Sequence, residues 1–281
     1  MKLLYVASLR TGEVYVIDVP GRELVAVIPV GGRPYGVAAA ADRIYVTDFG
    51  GTAVHVIDPA LDQVFRRVEV AAAPGDVAVA GERVYVTNYH GHSVSVIERG
   101  EVVAVVAVGK NPAKLAVGAD AVYVTNFESD DVSVLDPTTC RVIATIPVGT
   151  HPNGVVIAPD GRVYVSNSGR GERRVSVLEG FEVVGNLAVG EGCFGVALGN
   201  DRLYAANYYD NSVTVLDTVT GRCQGAVRVG VRPENVVAGG GEVFVANTGG
   251  PSVSVLDGVE VVATIDVPSV PGGLAYWAGS R

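Results

Sequence analysis

Residues 123–155 read YVTNFESDDVSVLDPTTCRVIATIPVGTHPNGV. Three runs rich in Val, Ile and Thr (YVTN, DVSVLD and RVIATIPVG) are separated by Asp, Ser, Pro and Thr, the pattern of short strands joined by tight turns. A fourth run, AKLAVG at 113–118, precedes them. The same order recurs along the chain. A motif of aromatic, Val or Ala, small residue, then Asn or Asp begins at Tyr5, Tyr45, Tyr85, Tyr123, Tyr164, Tyr204 and Phe244, with spacings of 40, 40, 38, 41, 40 and 40 residues. A period near 40 with four strand-like runs per unit predicts β-propeller blades, whose strands are called A to D from the axis outward. A helical repeat of that length would show apolar residues at three- and four-residue spacing instead.

Seven copies predict an all-β, seven-bladed β-propeller of four-stranded antiparallel blades. One blade cannot bury both of its own faces, so the ring must close. The chain enters at strand B (KLLYVAS) with no A strand before it, and it ends in VPSVPGGLAYWAGS, which aligns with the turn and A strand in VGGRPYGVAAA. The C-terminal strand is therefore expected to complete the N-terminal blade. With no linker or shift in composition, a single domain over residues 1–281 is expected.

Composition fits this reading. The 36 glycines and 14 prolines suit many turns, and a formal charge of −9 argues against a general grip on phosphate backbones. The start, MKLLYVASLR, holds too short an apolar run for an export signal or a membrane span. As written the chain is expected in the cytoplasm, or outside it had a leader been removed. Cys140, Cys193 and Cys223 share no metal-ligand or haem-attachment spacing, so no disulfide framework and no cofactor are expected.

The strings YVTNYHGHSVSVI (residues 85–97) and the opening stretch resemble the YVTN-type β-propeller repeat of surface-layer, periplasmic and secreted proteins. The resemblance covers essentially the whole chain. It implies architecture and leaves activity open, because the repeat serves many roles.

Positions filled in every blade are read as structural. Asp18, Asp58, Glu98, Asp136, Glu179, Asp217 and Asp257 end strand C and are expected to accept backbone N–H bonds in the C–D hairpin. Asp48, Asn88, Asn126, Asn167, Asn207 and Asn247 follow strand B and are expected to tie its outgoing loop to the backbone. Pro34, Pro74, Pro112, Pro152, Pro233 and Pro271 mark the D-to-A crossing, where Cys193 replaces the proline in the remaining copy and is read as a buried thiol. His55, in strand C, is read as packing between sheets.

Departures from the repeat carry the functional candidates. Phe49, Tyr89, Phe127 and Tyr208 follow the Asn/Asp position in four blades, an interrupted aromatic crown on the face where B–C and D–A loops emerge. The D–A crossings bring non-repeating residues to the axial mouth: Arg33, Tyr35, Asp76, Lys114, His151, Asn153, Phe194, Arg232 and Glu234. His90 and His92 supply two metal ligands at most, with Glu128, Asp130 or Asp131 as further donors, and are read as surface or recognition residues with no metal.

The first reading is a non-catalytic recognition or scaffold module that binds a protein, glycan or small molecule on this top face. Nucleic acid is not expected. The alternative is a lyase, isomerase or lactone hydrolase at the axial mouth, with His151 or Glu234 as acid–base and Arg33 or Arg232 as anion clamp. A monomer is expected, with residues 102–108 (VVAVVAV), the outer strand least protected by Pro or charge, as the edge where a self-association contact would form.

Overall fold

A computed structural model describes residues 1–279. The 28 strands form seven four-stranded sheets, every pair antiparallel, and no helix occurs among the described residues. Blade 1 combines Lys2–Ser8, Glu13–Asp18 and Glu23–Pro29 with Pro271–Ala278, which pairs with Lys2–Ser8 as its innermost strand. Blade 2 consists of Pro34–Ala39, Ile44–Asp48, Ala53–Asp58 and Gln63–Glu69. Blades 3 to 7 follow over residues 74–107, 112–147, 152–188, 193–228 and 233–266. Each innermost strand lies against the next, and Pro271–Ala278 lies against both Pro34–Ala39 and Pro233–Gly239, so the ring is closed.

Seven apolar clusters occupy the seven seams between blades. Val54, Val56, Val77 and Val86 fill the seam between blades 2 and 3, and Leu3, Tyr5, Ile44 and Trp277 fill that between blades 1 and 2. Strands B and C are buried on both faces, because alternate β-branched side chains enter alternate seams. Trp277 locks the closure by donating its indole N–H toward the carbonyls of Ala40 (3.0 Å) and Ala41 (3.2 Å).

Two repeated polar positions stitch the ring. In blades 2 to 5 the hydroxyl of Thr47, Thr87, Thr125 or Ser166 accepts an N–H from its own strand A. It also donates to a carbonyl of the next blade's strand A, at Gly75, Ala113, Asn153 and Phe194 respectively. The asparagines after strand B act differently from the expectation. Asn88, Asn126, Asn207 and Asn247 each donate to a Ser or Thr hydroxyl of strand C, and among the described residues only Asn167 also reaches a backbone carbonyl. They brace B to C through side chains because a small strand-C residue faces them across the pleat. Blade 2 replaces this pair with Asp48 and His55. Asp48 accepts the Arg33 and Gly50 N–H groups, and burial holds the His55 imidazole below its usual pKa.

Four of the C–D carboxylates, Asp18, Asp58, Asp136 and Asp217, turn back onto hairpin N–H groups, as Asp136 does with Thr138 (2.7 Å) and Asp217 with Thr220 (2.7 Å), whereas Glu98 and Glu179 accept from Arg83 and Arg162 of strand B instead. The outer strand of blade 3, Glu101–Ala107, exposes Val102, Val103 and Val105, but blades 1, 4, 5 and 7 expose equivalent aliphatics. Apolar exposure therefore does not single this edge out. All C–D pairs carry a register shift, such as that between Val96 and Ile97, which twists the edge and blunts pairing with another strand. Among the described residues no helix is long and apolar enough to cross a membrane.

Candidate functional site

Strand A of each blade opens with a three-residue segment whose second and third positions build the mouth of the ring. The third is glycine at Gly36, Gly154, Gly195 and Gly273. Strand backbones approach there so closely that a Cβ at Gly195 would lie 2.2 Å from the Glu234 carbonyl oxygen. Blades 3, 4 and 7 have Asp76, Lys114 and Asn235 instead, and these three supply the polar side chains of an axial channel of about 190 Å³. Lys114 Nζ lies 3.1 Å from Asp76 Oδ1, both side chains largely buried, and Asp76 Oδ2 also accepts the Leu115 N–H.

The second position carries Tyr35, Gly75, Ala113, Asn153, Phe194, Glu234 and Gly272. Tyr35 and Glu234 meet across blade 1, with the phenol donating to Glu234 Oε1 at 2.6 Å. Burial, reinforced by the Glu234 and Asp76 carboxylates, pushes the Tyr35 phenol well above its usual pKa and keeps it a donor. Small residues at 75 and 113 leave room beside it. A cleft of about 220 Å³ opens there, walled by Tyr35, Phe49, Tyr89, Phe127 and Phe194, with Lys114 and Asn153 at its base. The carbonyls of Gly75, Ala113, Asn153 and Phe194 beneath the cleft are those held by the Thr and Ser stitches.

The rings form a continuous arc. Centroids are 5.5 Å apart for Tyr35 and Phe49, 5.7 Å for Phe49 and Tyr89, and 6.4 Å for Tyr89 and Phe127. His151 continues it, stacked on Phe127 at 4.5 Å with an interplanar angle of 5°. A second group pairs Phe194 with Tyr208 at 4.8 Å. Arg33 lies over Phe49 and Arg232 over Tyr208, each 5.7 Å from the ring centroid. Of the four acid–base and clamp candidates, no hydrogen bond, ion pair or ring contact joins any two of His151, Glu234, Arg33 and Arg232 among the described residues.

The two loop histidines part company. His90 joins the arc against Tyr89 (5.2 Å) and Phe49 (6.0 Å), whereas His92 Nδ1 accepts the Asn111 backbone N–H at 3.1 Å. That bond makes His92 a brace between two loops. Among the described residues no group of three or more His, Cys, Asp or Glu side chains is placed to hold a metal ion. Cys193 is fully buried, and loss of solvent pushes its thiol far above the usual value. The pairings of Tyr35 with Glu234 and of Asp76 with Lys114 were not foreseen. The replacement of glycine by Asp76, Lys114 and Asn235 in a repeated triplet was the available signal.

Among solved structures, the ring is similar to a functionally unknown protein from Desulfotomaculum acetoxidans (13% identity, TM-score 0.83, covering 99% of each chain). It is similar to hydrazine synthase from Kuenenia stuttgartiensis (17% identity, TM-score 0.77, 89% of this chain and 90% of that one). A third likeness is to streptogramin B lyase (12% identity, TM-score 0.78, 98% of this chain and 91% of that one). At such identities the likeness is one of fold, and a synthase and a lyase share it. No family model matches the chain, and no curated protein matches it.

Proposed function

We propose that the chain is a single-domain recognition module of the YVTN-repeat type, spanning residues 1–281, whose top face binds a ligand through stacking. The observation that carries this is the arc from Tyr35 through Phe49, Tyr89 and Phe127 around an apolar cleft. Aromatic faces held on a stitched backbone suit the flat apolar side of a sugar ring or the aromatic group of a peptide. The charged groups next to it are already engaged, Lys114 with Asp76 and Glu234 with Tyr35. Asn153 supplies the polar contact that would orient such a ligand. Arg33 and Arg232 stand over rings at the rim, where they would meet the polar ends of an extended ligand. The test is calorimetric titration with linear oligosaccharides and tryptophan-containing peptides. Saturable binding to the native protein that is lost in Tyr89→Ala and Phe127→Ala supports the reading, and binding indifferent to both substitutions overturns it.

A second reading, catalysis at the axial mouth, rests on the short Tyr35–Glu234 contact and on neighbours that bear enzyme names. It requires His151, Arg33 or Arg232 to converge on Glu234. Turnover abolished by Glu234→Gln, with the melting temperature unchanged, would favour it over the first.

A further inference from the structure

On the face opposite the aromatic arc, the seam between blades 2 and 3 lacks a polar bridge from strand B that closes three of the others. In the seam between blades 3 and 4, Arg83 at the start of strand B reaches across to the Pro137 carbonyl. Arg162 reaches Thr218 in the same way (3.4 Å), and Glu242 reaches Arg22 of blade 1 (2.5 Å). Arg43 holds the matching position in blade 2 but makes no such bridge among the described residues, and neither does Arg202 of blade 6, which donates to Gln224 of its own blade. The Arg43 guanidinium lies 4.7 Å over the Phe65 ring of its own blade and 3.2 Å from its neighbour Asp42. Tyr45 Oη, beneath it, makes no hydrogen bond among the described residues, and burial raises its pKa.

The cause is legible in strand D. At the bulge, where blade 2 has Phe65 and Arg66, the other blades have Val25–Ala26, Val103–Ala104, Ile143–Ala144, Val184–Gly185, Gln224–Gly225 and Val262–Ala263. A small residue in six blades becomes arginine in one. Arg66 spans the seam outside Tyr45, donating to the Arg99 carbonyl at 3.1 Å, and its guanidinium lies against Gly100, where any Cβ would overlap it. Between this strut and Tyr45 a cavity of about 380 Å³ remains open, floored by Val56, Val79, Val84 and Ile97.

Charge at its rim is uneven. Arg43 has Asp42 and Arg99 has Glu82 at 3.6 Å, but no carboxylate pairs with Arg66 among the described residues. We propose that this seam is a second binding site, separate from the top face, for a small anionic amphiphile: a carboxylate on an aromatic or short aliphatic body. The acid group would be taken by Arg66, with Tyr45 Oη as a second donor, and the body by the aliphatic floor beside Phe65. The cavity lies within the range of small-molecule sites, roughly 300–1,000 Å³.

The test uses 3-phenylpropionate, its uncharged amide and acetate, titrated against the full chain and followed by NMR shifts and calorimetry. Saturable binding of the acid is expected, weakened about tenfold or more in Arg66→Ala, as for loss of one charge-assisted hydrogen bond. The amide should bind the native protein about as weakly as the acid binds that variant. Acetate, lacking the body, should not saturate. Arg66→Ala installs the residue that four other blades carry, so its melting temperature should hold. If it falls, Arg66→Gln replaces it in the same comparison. Phe127→Ala on the top face should leave this binding unchanged, so that failure of one site is distinguishable from failure of the other. Equal affinity for acid and amide, indifference to both Arg66 variants, or no saturable binding of the acid would overturn the proposal.

Discussion

Removal of residues from Pro271 onward should abolish cooperative folding, and the reason lies in what the strand leaves behind. Its own burial is partly offset by the entropy of ordering it, about 1–2 kcal/mol per residue. The surfaces it covers have no such offset. Trp277 and Leu274 are almost wholly buried, in the seams that blade 1 shares with blade 2 and blade 7 respectively. An indole of this kind covers roughly 200 Å², so baring its seat costs about 5 kcal/mol at about 25 cal/mol per Å². Leu274 adds about 2 kcal/mol on the same basis, and the inner edge of Lys2–Ser8 loses its partner. Against a global stability of about 5–15 kcal/mol, little remains. The assay is thermal unfolding by circular dichroism, with a permuted chain as control in which residues 271–281 run directly into Met1. Gly279 N–H already donates to the Met1 carbonyl at 3.2 Å, so the described ends that the join connects lie side by side. The permuted chain should melt within a few degrees of the native one. A truncated chain that still melts cooperatively near the native temperature would refute the closure argument.

Thiol titration of the native protein should find the exposed Cys223 fast, Cys140 slower and Cys193 silent until denaturant is added. Stability should fall on acidification because hairpin N–H groups hold Asp136 and Asp217 below their usual pKa. The unfolded chain then takes up protons first, so this contribution is present above about pH 4 and is lost as pH falls through the folded values. Melting curves of an Asp136→Asn/Asp217→Asn variant should show a shallower decline, and an unchanged decline would contradict the assignment. His92→Ala should cost about 1 kcal/mol, read from denaturant midpoints, through loss of the Asn111 bond, while His90→Ala should cost less. Zinc should give no saturable rise in melting temperature that depends on both histidines. A stoichiometric ion lost in the double variant would reverse that view.

The architecture was legible because it is written seven times. The period from Tyr5 to Phe244, the missing first strand A and its recovery at Pro271 predict ring and closure before any coordinate is known. The aromatic positions Phe49, Tyr89 and Phe127 were legible for the complementary reason, as departures from the repeat. Less legible was what those departures touch. Tyr35 and Glu234 are 199 residues apart and meet only because the ring brings blades 2 and 7 to one mouth. The strand-B asparagines were given backbone partners because local turns dominate sequence reasoning, whereas strand-C hydroxyls face them across the sheet. Arg66 lies on an outer strand, where a lone charge reads as edge protection. Aligning the bulge positions shows it as the one large residue in a small-residue column.

The proposed function stands on ligands binding in the top-face cleft by stacking on the arc. Crystals soaked with a set of pyranoside and aromatic fragments test it most directly. Ordered fragments are expected between Tyr35, Phe49, Tyr89 and Phe127, rings offset-stacked on at least one of these side chains and a polar atom near Asn153. Fragments that collect elsewhere on the ring while this cleft stays empty at full soaking concentration would contradict it.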